Sequence, residues 1–189
     1  YPAYITPVNE DTIPMMANRQ YDLVLAYCER RGGPERFIRQ YYSATGVFRT
    51  SLKINFTVAG FFGLEQGSVL VFGNSGDESS IYLYDAHNNY LAGKWDMPPG
   101  NIRGVEQVAS STYLLNHDAG IFLYVHSTGA LSLWQEGTDA MAMAFDHTRQ
   151  LLYYAEDAVV RVRRLSDAAL VQEIALPSEV LNLHIQYNR

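Results

Sequence analysis

The residues of this chain that could do chemistry are five histidines, one cysteine and a few paired carboxylates. The histidines fall mostly in turns or at strand ends: His87, His117, His126, His147 and His184. None has a second ligand at the spacing of a zinc site, such as a His-Glu-x-x-His helix or a Cys-x-x-Cys pair. His117-Asp118 and Asp146-His147 come nearest, and a loop histidine with a local hydrogen bond is the simpler interpretation of each. We therefore expect no metal and no cofactor.

Two acidic pairs, Asp77-Glu78 and Glu156-Asp157, stand at corresponding turns of the chain. Carboxylates in turns commonly accept hydrogen bonds from nearby backbone amides. A calcium site would need more oxygen ligands than the local sequence supplies. Cys28 has no partner for an internal disulfide and stands at the end of an apolar strand, which favours a small buried side chain over a reactive thiol.

The sequence also lacks the short motifs of common enzyme classes. Gly60-Phe61-Phe62-Gly63 has neither the lysine nor the following helix of a phosphate-binding loop. No Gly-x-Ser-x-Gly elbow is present. Because local signatures of nucleophilic catalysis, phosphoryl transfer and dinucleotide binding are missing, a non-enzymatic protein is favoured over an enzyme.

Two groups of arginines are the candidate binding residues. Arg161 and Arg163 are two residues apart and so share one face of a strand. They either pair with carboxylates on a neighbouring blade or loop, or form a partner-binding patch. The segment 30–36 contains Arg30, Arg31 and Arg36 around two glycines. It is either a solvated loop or the segment that contacts a partner, since rigid scaffolds often carry their function on loops.

A repeat of about 40 residues sets the elements that must position these side chains. Short related segments begin at Tyr41, Tyr84, Tyr124 and Arg163, at separations of 43, 40 and 39 residues. This is the period of a four-stranded propeller blade. We predict an all-β fold, a β-propeller of four-stranded antiparallel blades, with about four blades in this chain. The predicted repeats cover residues 12–56, 57–97, 101–136 and 139–177.

Each predicted repeat contains four short apolar strands that are separated by turns. In the fourth repeat they are Met141–Phe145, Leu151–Ala155, Val159–Arg163 and Leu170–Leu176. The turn between the third and fourth strands ends in Gly46, Asn89 and Gly129 in the other three repeats. Glycine and asparagine tolerate the left-handed backbone that tight hairpins need. Because Ala168 stands at this position in the fourth repeat, we expect a different turn there.

The ends of the repeats leave two arrangements open. Residues 179–189 look like the start of a further repeat, with a first strand over 179–185, and residues 4–8 could be the last strand of an earlier one. The chain is then either a piece of a larger ring, completed by further blades or another chain, or a small ring closed by its own ends. Closure is expected in both arrangements because open sheet edges promote aggregation.

A propeller enzyme would assemble its site from first strands around the central channel. The predicted first strands contain mainly apolar residues, and the polar exceptions are Glu65, Glu106, Asn182 and His184. A sugar- or metal-dependent hydrolase or lyase, or a small-ligand binder, would use these positions. This is the alternative to a binding module.

Composition limits the classes of partner. The chain has 189 residues, of which 48% are hydrophobic, and this is ample for a core. The net charge of -6 argues against general nucleic-acid binding. No apolar run approaches the ~20 residues of a membrane helix, so we expect no membrane span.

The repeats resemble the divergent WD40-like (YVTN-like) β-propeller superfamily. The resemblance covers about residues 12–186 and is carried by Met141–Asp146, Leu151–Asp157 and Val160–Arg163, and by Ile81–Asp85. The Gly-His and Trp-Asp signatures of the family are absent as such. The dipeptide Trp95-Asp96 does occur, but it falls in a fourth strand, where the Trp-Asp signature does not belong. The resemblance implies a rigid scaffold for protein–protein contacts and carries over no catalytic residue.

Overall fold

The computed structural model describes residues 12–20, 22–85, 88 and 90–187. These residues form sixteen β-strands and one short 3-10 turn, Glu65–Gly67. The strands make four antiparallel sheets, and each sheet consists of four strands that are consecutive in the chain. The predicted all-β fold of four-stranded antiparallel blades is therefore confirmed.

Residues 1–97 form the first of two compact units, which contains the first two sheets. The strands of the first sheet are β1 (Thr12–Gln20), β2 (Leu23–Arg30), β3 (Arg36–Tyr42) and β4 (Phe48–Ile54). Those of the second sheet are β5 (Thr57–Gly63), β6 (Ser68–Ser75), β7 (Glu78–Asp85) and β8 (Tyr90–Asp96).

Residues 98–189 form the second unit, which contains the other two sheets. The strands of the third sheet are β9 (Ile102–Ala109), β10 (Thr112–His117), β11 (Gly120–Val125) and β12 (Ala130–Glu136). Those of the fourth sheet are β13 (Ala142–Asp146), β14 (Leu151–Glu156), β15 (Val159–Arg164) and β16 (Leu170–Ala175).

The burial of a strand follows its place in the sheet. The second strands β2, β6 and β10 each have a continuous run of at least five buried residues. Such a strand pairs on both edges and is covered on both faces, so apolar residues predominate in it, although β10 also buries Asn116 and His117. The fourth strands β8, β12 and β16 are mostly exposed, and each contains polar residues, such as Lys94, Ser132 and Gln172.

The turns between the third and fourth strands correct one prediction. Gly46 and Gly129 both have φ of 68°, and Ala168 has φ of 55°, in the same left-handed region. The closing hydrogen bonds also agree, since Tyr42 N–H donates to the Val47 carbonyl at 2.9 Å and Arg164 N–H to the Ala169 carbonyl at 3.0 Å. The expected different turn at Ala168 is therefore wrong: the hairpin keeps its geometry, and the alanine adopts a strained backbone conformation.

An aromatic stack belongs to the buried apolar cluster of the first unit. The rings of Phe56 and Tyr82 are parallel to within 8°, with centroids 4.1 Å apart. Phe56 lies between the first and second sheets in the chain and belongs to one buried cluster with Leu52, Ile54 and Val71. Gly73 provides the space for this ring, because a Cβ atom there would lie 2.2 Å from Phe56 Cδ2.

The second unit joins its two sheets with both apolar and polar contacts. Leu114 and Ile121 of the third sheet share a buried cluster with Phe145 and Leu152 of the fourth. The indole N–H of Trp134 donates to the Leu165 carbonyl at 2.9 Å. The Asn116 side-chain amide donates to the Ala140 carbonyl at 2.7 Å and so fixes the connection between the two sheets.

Residues 176–187 belong to no sheet of the described chain. They nevertheless pack on the fourth sheet, where Val180 and Leu183 contact the cluster of Ala142, Ala155 and Val160. The assignment of residues 179–189 to a further repeat stays a prediction.

Candidate partner-binding site

The segment 30–36, here called the arginine loop, connects β2 to β3. Arg30 is the last residue of β2, and Arg36 is the first residue of β3. The Arg30 N–H donates to the Glu35 carbonyl at 2.9 Å, which closes the base of the loop. Gly32 turns the chain at the tip with φ of 74°, a conformation that favours glycine.

One side of the loop base is held by the Glu35 carboxylate. Glu35 pairs with the Arg30 guanidinium and also accepts a bond of 2.9 Å from the Lys53 ammonium on β4. The hydrogen bonds from Lys53 and Arg30 lower the pKa of Glu35 to about 2. The carboxylate is therefore ionised throughout the physiological range and links the loop to the outer strand of its sheet.

The other side of the base is held by the Glu29 carboxylate. It accepts hydrogen bonds from the Tyr27 hydroxyl at 2.6 Å and from Arg36 Nε at 3.2 Å. Burial, together with the bond to Glu29, raises the pKa of Tyr27 to about 12, so the phenol remains a donor. The bond from Tyr27, followed by that from Arg36, lowers the pKa of Glu29.

The predicted binding arginines of this loop therefore differ in their roles. Arg30 and Arg36 are engaged at the base, whereas Arg31 is exposed at the tip beside Gly32. Among the described carboxylates, none forms an ion pair with Arg31. Sequence reasoning missed Glu29 and Lys53. The pairing of Glu29 with Arg36 across the hairpin base follows from their positions at the ends of two consecutive strands, but nothing in the sequence pointed to Lys53.

Arg161 and Arg163 do share one face of β15, as predicted, but their partners lie within their own sheet. Arg161 pairs with Glu156 and, through Nε at 2.8 Å, with Glu173, its cross-strand neighbour on β16. Arg163 donates to the Tyr154 hydroxyl at 2.9 Å and to the Ala168 carbonyl at 2.7 Å. Arg161 thus pairs with carboxylates of its own sheet rather than of a neighbouring blade or loop. The partner-binding patch at these arginines stays a prediction.

Arg161 is also one end of an ion-pair chain that sequence reasoning missed. At the other end of this series of ion pairs, Arg103 Nε donates to Asp118 at 2.8 Å, and the same guanidinium pairs with Asp139. The Asp139 N–H donates at 3.1 Å to Glu156, which in turn pairs with Arg161. The ion-pair chain therefore runs from the third sheet to the fourth. Arg103 and Asp139 are 36 residues apart, so no local pattern could have revealed their contact.

The two glutamates proposed for a channel site have different surroundings. Glu65 is exposed and lies in the 3-10 turn beyond β5, so it is not on a first strand. Glu106 is on β9, opposite the buried Leu114, and is partly buried. Burial raises the pKa of Glu106 to about 7. Glu106 is therefore a carboxyl group that changes charge near neutral pH.

The two histidines His184 and His117 also have different surroundings. His184 is exposed and lies outside the sheets. His117 is fully buried, and its Nδ1 accepts a hydrogen bond of 3.0 Å from the Ala119 N–H. Burial lowers the pKa of His117, against the effect of hydrogen bonds to the Gly100 and Pro98 backbone. The local hydrogen bond expected for His117 is present, and the side chain ties the start of the second unit to the third sheet.

No metal-binding group of three His, Cys, Asp or Glu side chains occurs among the described residues. Within the same part of the chain, no helix is long and apolar enough to cross a membrane. Cys28 is buried, as predicted, and burial raises the pKa of its thiol.

Comparison with known proteins identifies the fold. No protein-family model and no curated protein matches the chain. The WD40 β-propeller domain of Doa1 superposes with a TM-score of 0.64 at 14% identity, over 88% of this chain and 55% of that one. Sqt1 of Saccharomyces cerevisiae superposes with a TM-score of 0.64 at 10% identity, over 87% and 51%. A chain of the mitotic checkpoint complex gives a TM-score of 0.69 at 12% identity, over 94% and 56%.

These similarities extend over nearly all of the chain, which spans about half the length of the solved structures that it matches. At such low identity they establish the fold and carry no functional residue. They agree with the four-stranded antiparallel sheets and with the repeat period read from the sequence. The chain has the WD40-like β-propeller fold.

Proposed function

We propose that this chain is a non-catalytic interaction module that binds an acidic segment of a partner protein through the arginine loop. Arg31 makes the contact in this proposal, and Arg30 and Arg36 position the loop. The observation that carries the proposal is the pair of carboxylate clamps at the loop base, Glu35 and Glu29, which leave Arg31 at an exposed tip.

Four points support this assignment. The loop and its clamps contain three arginines and Lys53 against two glutamates, so the local charge is positive on a protein of net charge -6. A guanidinium can bind a carboxylate with two parallel hydrogen bonds, which gives geometric specificity. A rigid sheet that presents a short loop loses little conformational entropy on binding. One of the similar solved structures is a chain of a multiprotein assembly, the mitotic checkpoint complex.

The test uses a fluorescein-labelled acidic peptide, for example a six-residue alternation of aspartate and glycine flanked by tyrosines, and fluorescence anisotropy. We expect binding that weakens between 20 and about 200 mM NaCl, since exposed charges are screened over that range. Arg31→Glu should weaken binding at least tenfold. Arg164→Glu is the matched control, because Arg164 is an exposed arginine at the end of β15 in the fourth sheet, and it should change the affinity less than twofold.

The proposal is overturned if the peptide does not bind at low salt, or if Arg31→Glu and Arg164→Glu weaken binding equally. Equal effects would mean that general electrostatics rather than the arginine loop attracts the peptide. Thermal unfolding of Arg31→Glu should match that of the parent chain, because the Arg31 side chain is exposed and pairs with no described carboxylate. Arg164→Glu loses one exposed ion pair, which costs at most about 1 kcal/mol.

A further inference from the structure

Residues 180–187, here called the docked segment, lie along the fourth sheet and are fixed at both ends. At one end the Val180 N–H donates to the Asp157 carbonyl, just beyond β14, at 2.9 Å. At the other end the Tyr187 hydroxyl accepts the His147 N–H at 3.0 Å and donates to Asp146 at 3.3 Å. These anchor points lie beyond opposite ends of β14, roughly 20 Å apart at ~3.3 Å per residue. Residues 180–187 belong to neither a helix nor a strand.

The two sides of the docked segment have different surroundings. Val180 and Leu183 pack against the apolar cluster of Ala142, Ala155 and Val160. Leu181 points away from this cluster and is 75% exposed, the largest exposure among the large hydrophobic residues of the described chain. The docked segment is therefore held by one side, and the other side presents an apolar group to solvent.

The backbone of the docked segment is not paired with any strand of the described chain. The Val180 N–H bonds to Asp157, and the Leu183 N–H bonds to the Asn182 side chain at 2.8 Å. A backbone that is held at both ends and pairs with no strand of the described chain leaves donors and acceptors for an added strand. The first strands of the four sheets, in contrast, each pair with the strand that follows them.

The charges beside the docked segment indicate what kind of strand would fit. Asp157 and Glu179 are both exposed at its first residue, and neither forms an ion pair with a described cation. Residues 98–189 contain ten carboxylate side chains and six arginines, so the whole unit is acidic. A lysine or arginine on the added strand would therefore be attracted to this end.

We propose that the docked segment binds an extended, basic strand of a partner protein by β-strand addition. The added strand hydrogen-bonds to the open backbone, covers Leu181 with an apolar side chain, and places a basic side chain near Glu179 and Asp157. This surface is separate in sequence and in charge from the arginine loop, and its occupant does not depend on the function proposed for that loop.

The probe is a fluorescein-labelled peptide of sequence KVTVTVK, titrated with the full chain and followed by anisotropy. We expect binding, with the charge-reversed peptide EVTVTVE at least tenfold weaker. A KVTVTVK peptide that is N-methylated at each central residue keeps its side chains but cannot form a ladder, and it should not bind. Leu181→Asp should weaken binding at least tenfold. Leu170→Asp is the matched control, because Leu170 is 47% exposed on β16, the competing open edge of the fourth sheet.

Each of the following results overturns the proposal: absence of KVTVTVK binding, binding that survives N-methylation, or a larger loss with Leu170→Asp than with Leu181→Asp. Light scattering and hydrogen exchange on the chain alone provide an independent check. A dimer with protected amides at residues 181–186 would mean that a second copy already occupies the surface. Arg31→Glu should leave KVTVTVK binding unchanged, so failure here and failure of the proposed function are distinguishable.

Discussion

The two units use the same arrangement of strands but join their paired sheets by different chemistry. In the first unit the centre of the contact is the stack of Phe56 on Tyr82, for which Gly73 provides space. In the second unit an apolar cluster is supplemented by the ion-pair chain from Arg103 to Arg161 and by the bond from the Asn116 side-chain amide to the Ala140 carbonyl. The blade architecture thus needs a filled interface between its sheets, and it does not prescribe which residues fill it.

This difference has a physical consequence for how each unit responds to change. A stacked aromatic interface is sensitive to volume, because a displaced ring loses many close contacts at once. An interface with titrating and charged groups responds in addition to pH and to salt. Four substitutions test this comparison, and they are ordered from the largest expected effect to the smallest.

The largest effect is expected for Gly73→Ala in the first unit. The new Cβ would lie 2.2 Å from Phe56 Cδ2, so the ring has to leave its stack with Tyr82. Overpacking of this kind costs about 2–3 kcal/mol of unfolding free energy, measurable by urea denaturation followed by circular dichroism. The matched control is Gly104→Ala on β9, where nothing lies within 4 Å of the new Cβ. A loss below ~0.5 kcal/mol for Gly73→Ala would show that the stack tolerates extra volume.

The second effect is the pH-dependent stabilisation of the second unit by Glu106→Gln. The pKa of Glu106 is raised from 4.5 to about 7 on folding, so the folded chain binds more protons than the unfolded chain between these pH values. The contribution of Glu106 to the unfolding free energy is therefore fully present below pH 4.5 and is lost as the pH rises through 7. Glu106→Gln should stabilise the chain by ~1–2 kcal/mol at pH 8, after allowance for partial exposure, and by almost nothing at pH 4.

The measurement for Glu106→Gln is the difference in unfolding free energy between variant and parent from pH 4 to pH 8. Taking this difference removes the effect of His117, which has the opposite sign. The pKa of His117 is lowered in the folded chain, so its contribution to stability falls as the pH drops below about 6.5. A Glu106→Gln effect that does not vary with pH would contradict the assignment of a raised pKa.

The third effect is a salt-dependent loss on breaking the ion-pair chain with Arg103→Gln. The guanidinium holds Asp118 at 2.8 Å and also pairs with Asp139, but all three side chains are partly solvated. The expected loss of unfolding free energy is about 1 kcal/mol at 20 mM NaCl, and screening should reduce it by at least half at 0.5 M. The control is Arg164→Gln, which breaks a single exposed pair with Asp167. If Arg103→Gln loses the same unfolding free energy at 20 mM and at 0.5 M NaCl, Arg103 acts through packing rather than through its charge.

The comparison of the units also separates what could be predicted from the sequence from what could not. Alternating apolar residues and turn residues are local signals, so the strands and the propeller fold followed from the repeat. The prediction placed Arg161 and Arg163 on one face because strand geometry has a period of two. Their partners, and the pairing of Arg103 with Asp139, depend on how side chains meet across strands and sheets, which no local pattern encodes.

The smallest effect is expected at the turn around Ala168, for which the sequence-based prediction was wrong. Ala168 adopts φ of 55° where Gly46 has φ of 68° in the equivalent turn. A left-handed conformation costs a residue with a Cβ roughly 1 kcal/mol. Replacing the alanine by glycine removes this cost, but part of the gain is offset by the greater entropy of glycine in the unfolded chain. Ala168→Gly should therefore stabilise the chain by about 0.5 kcal/mol, and Gly46→Ala should destabilise it by about 1 kcal/mol. Thermal unfolding measures both. If Ala168→Gly is destabilising while Gly46→Ala is harmless, the two turns do not share the backbone conformation on which their comparison rests.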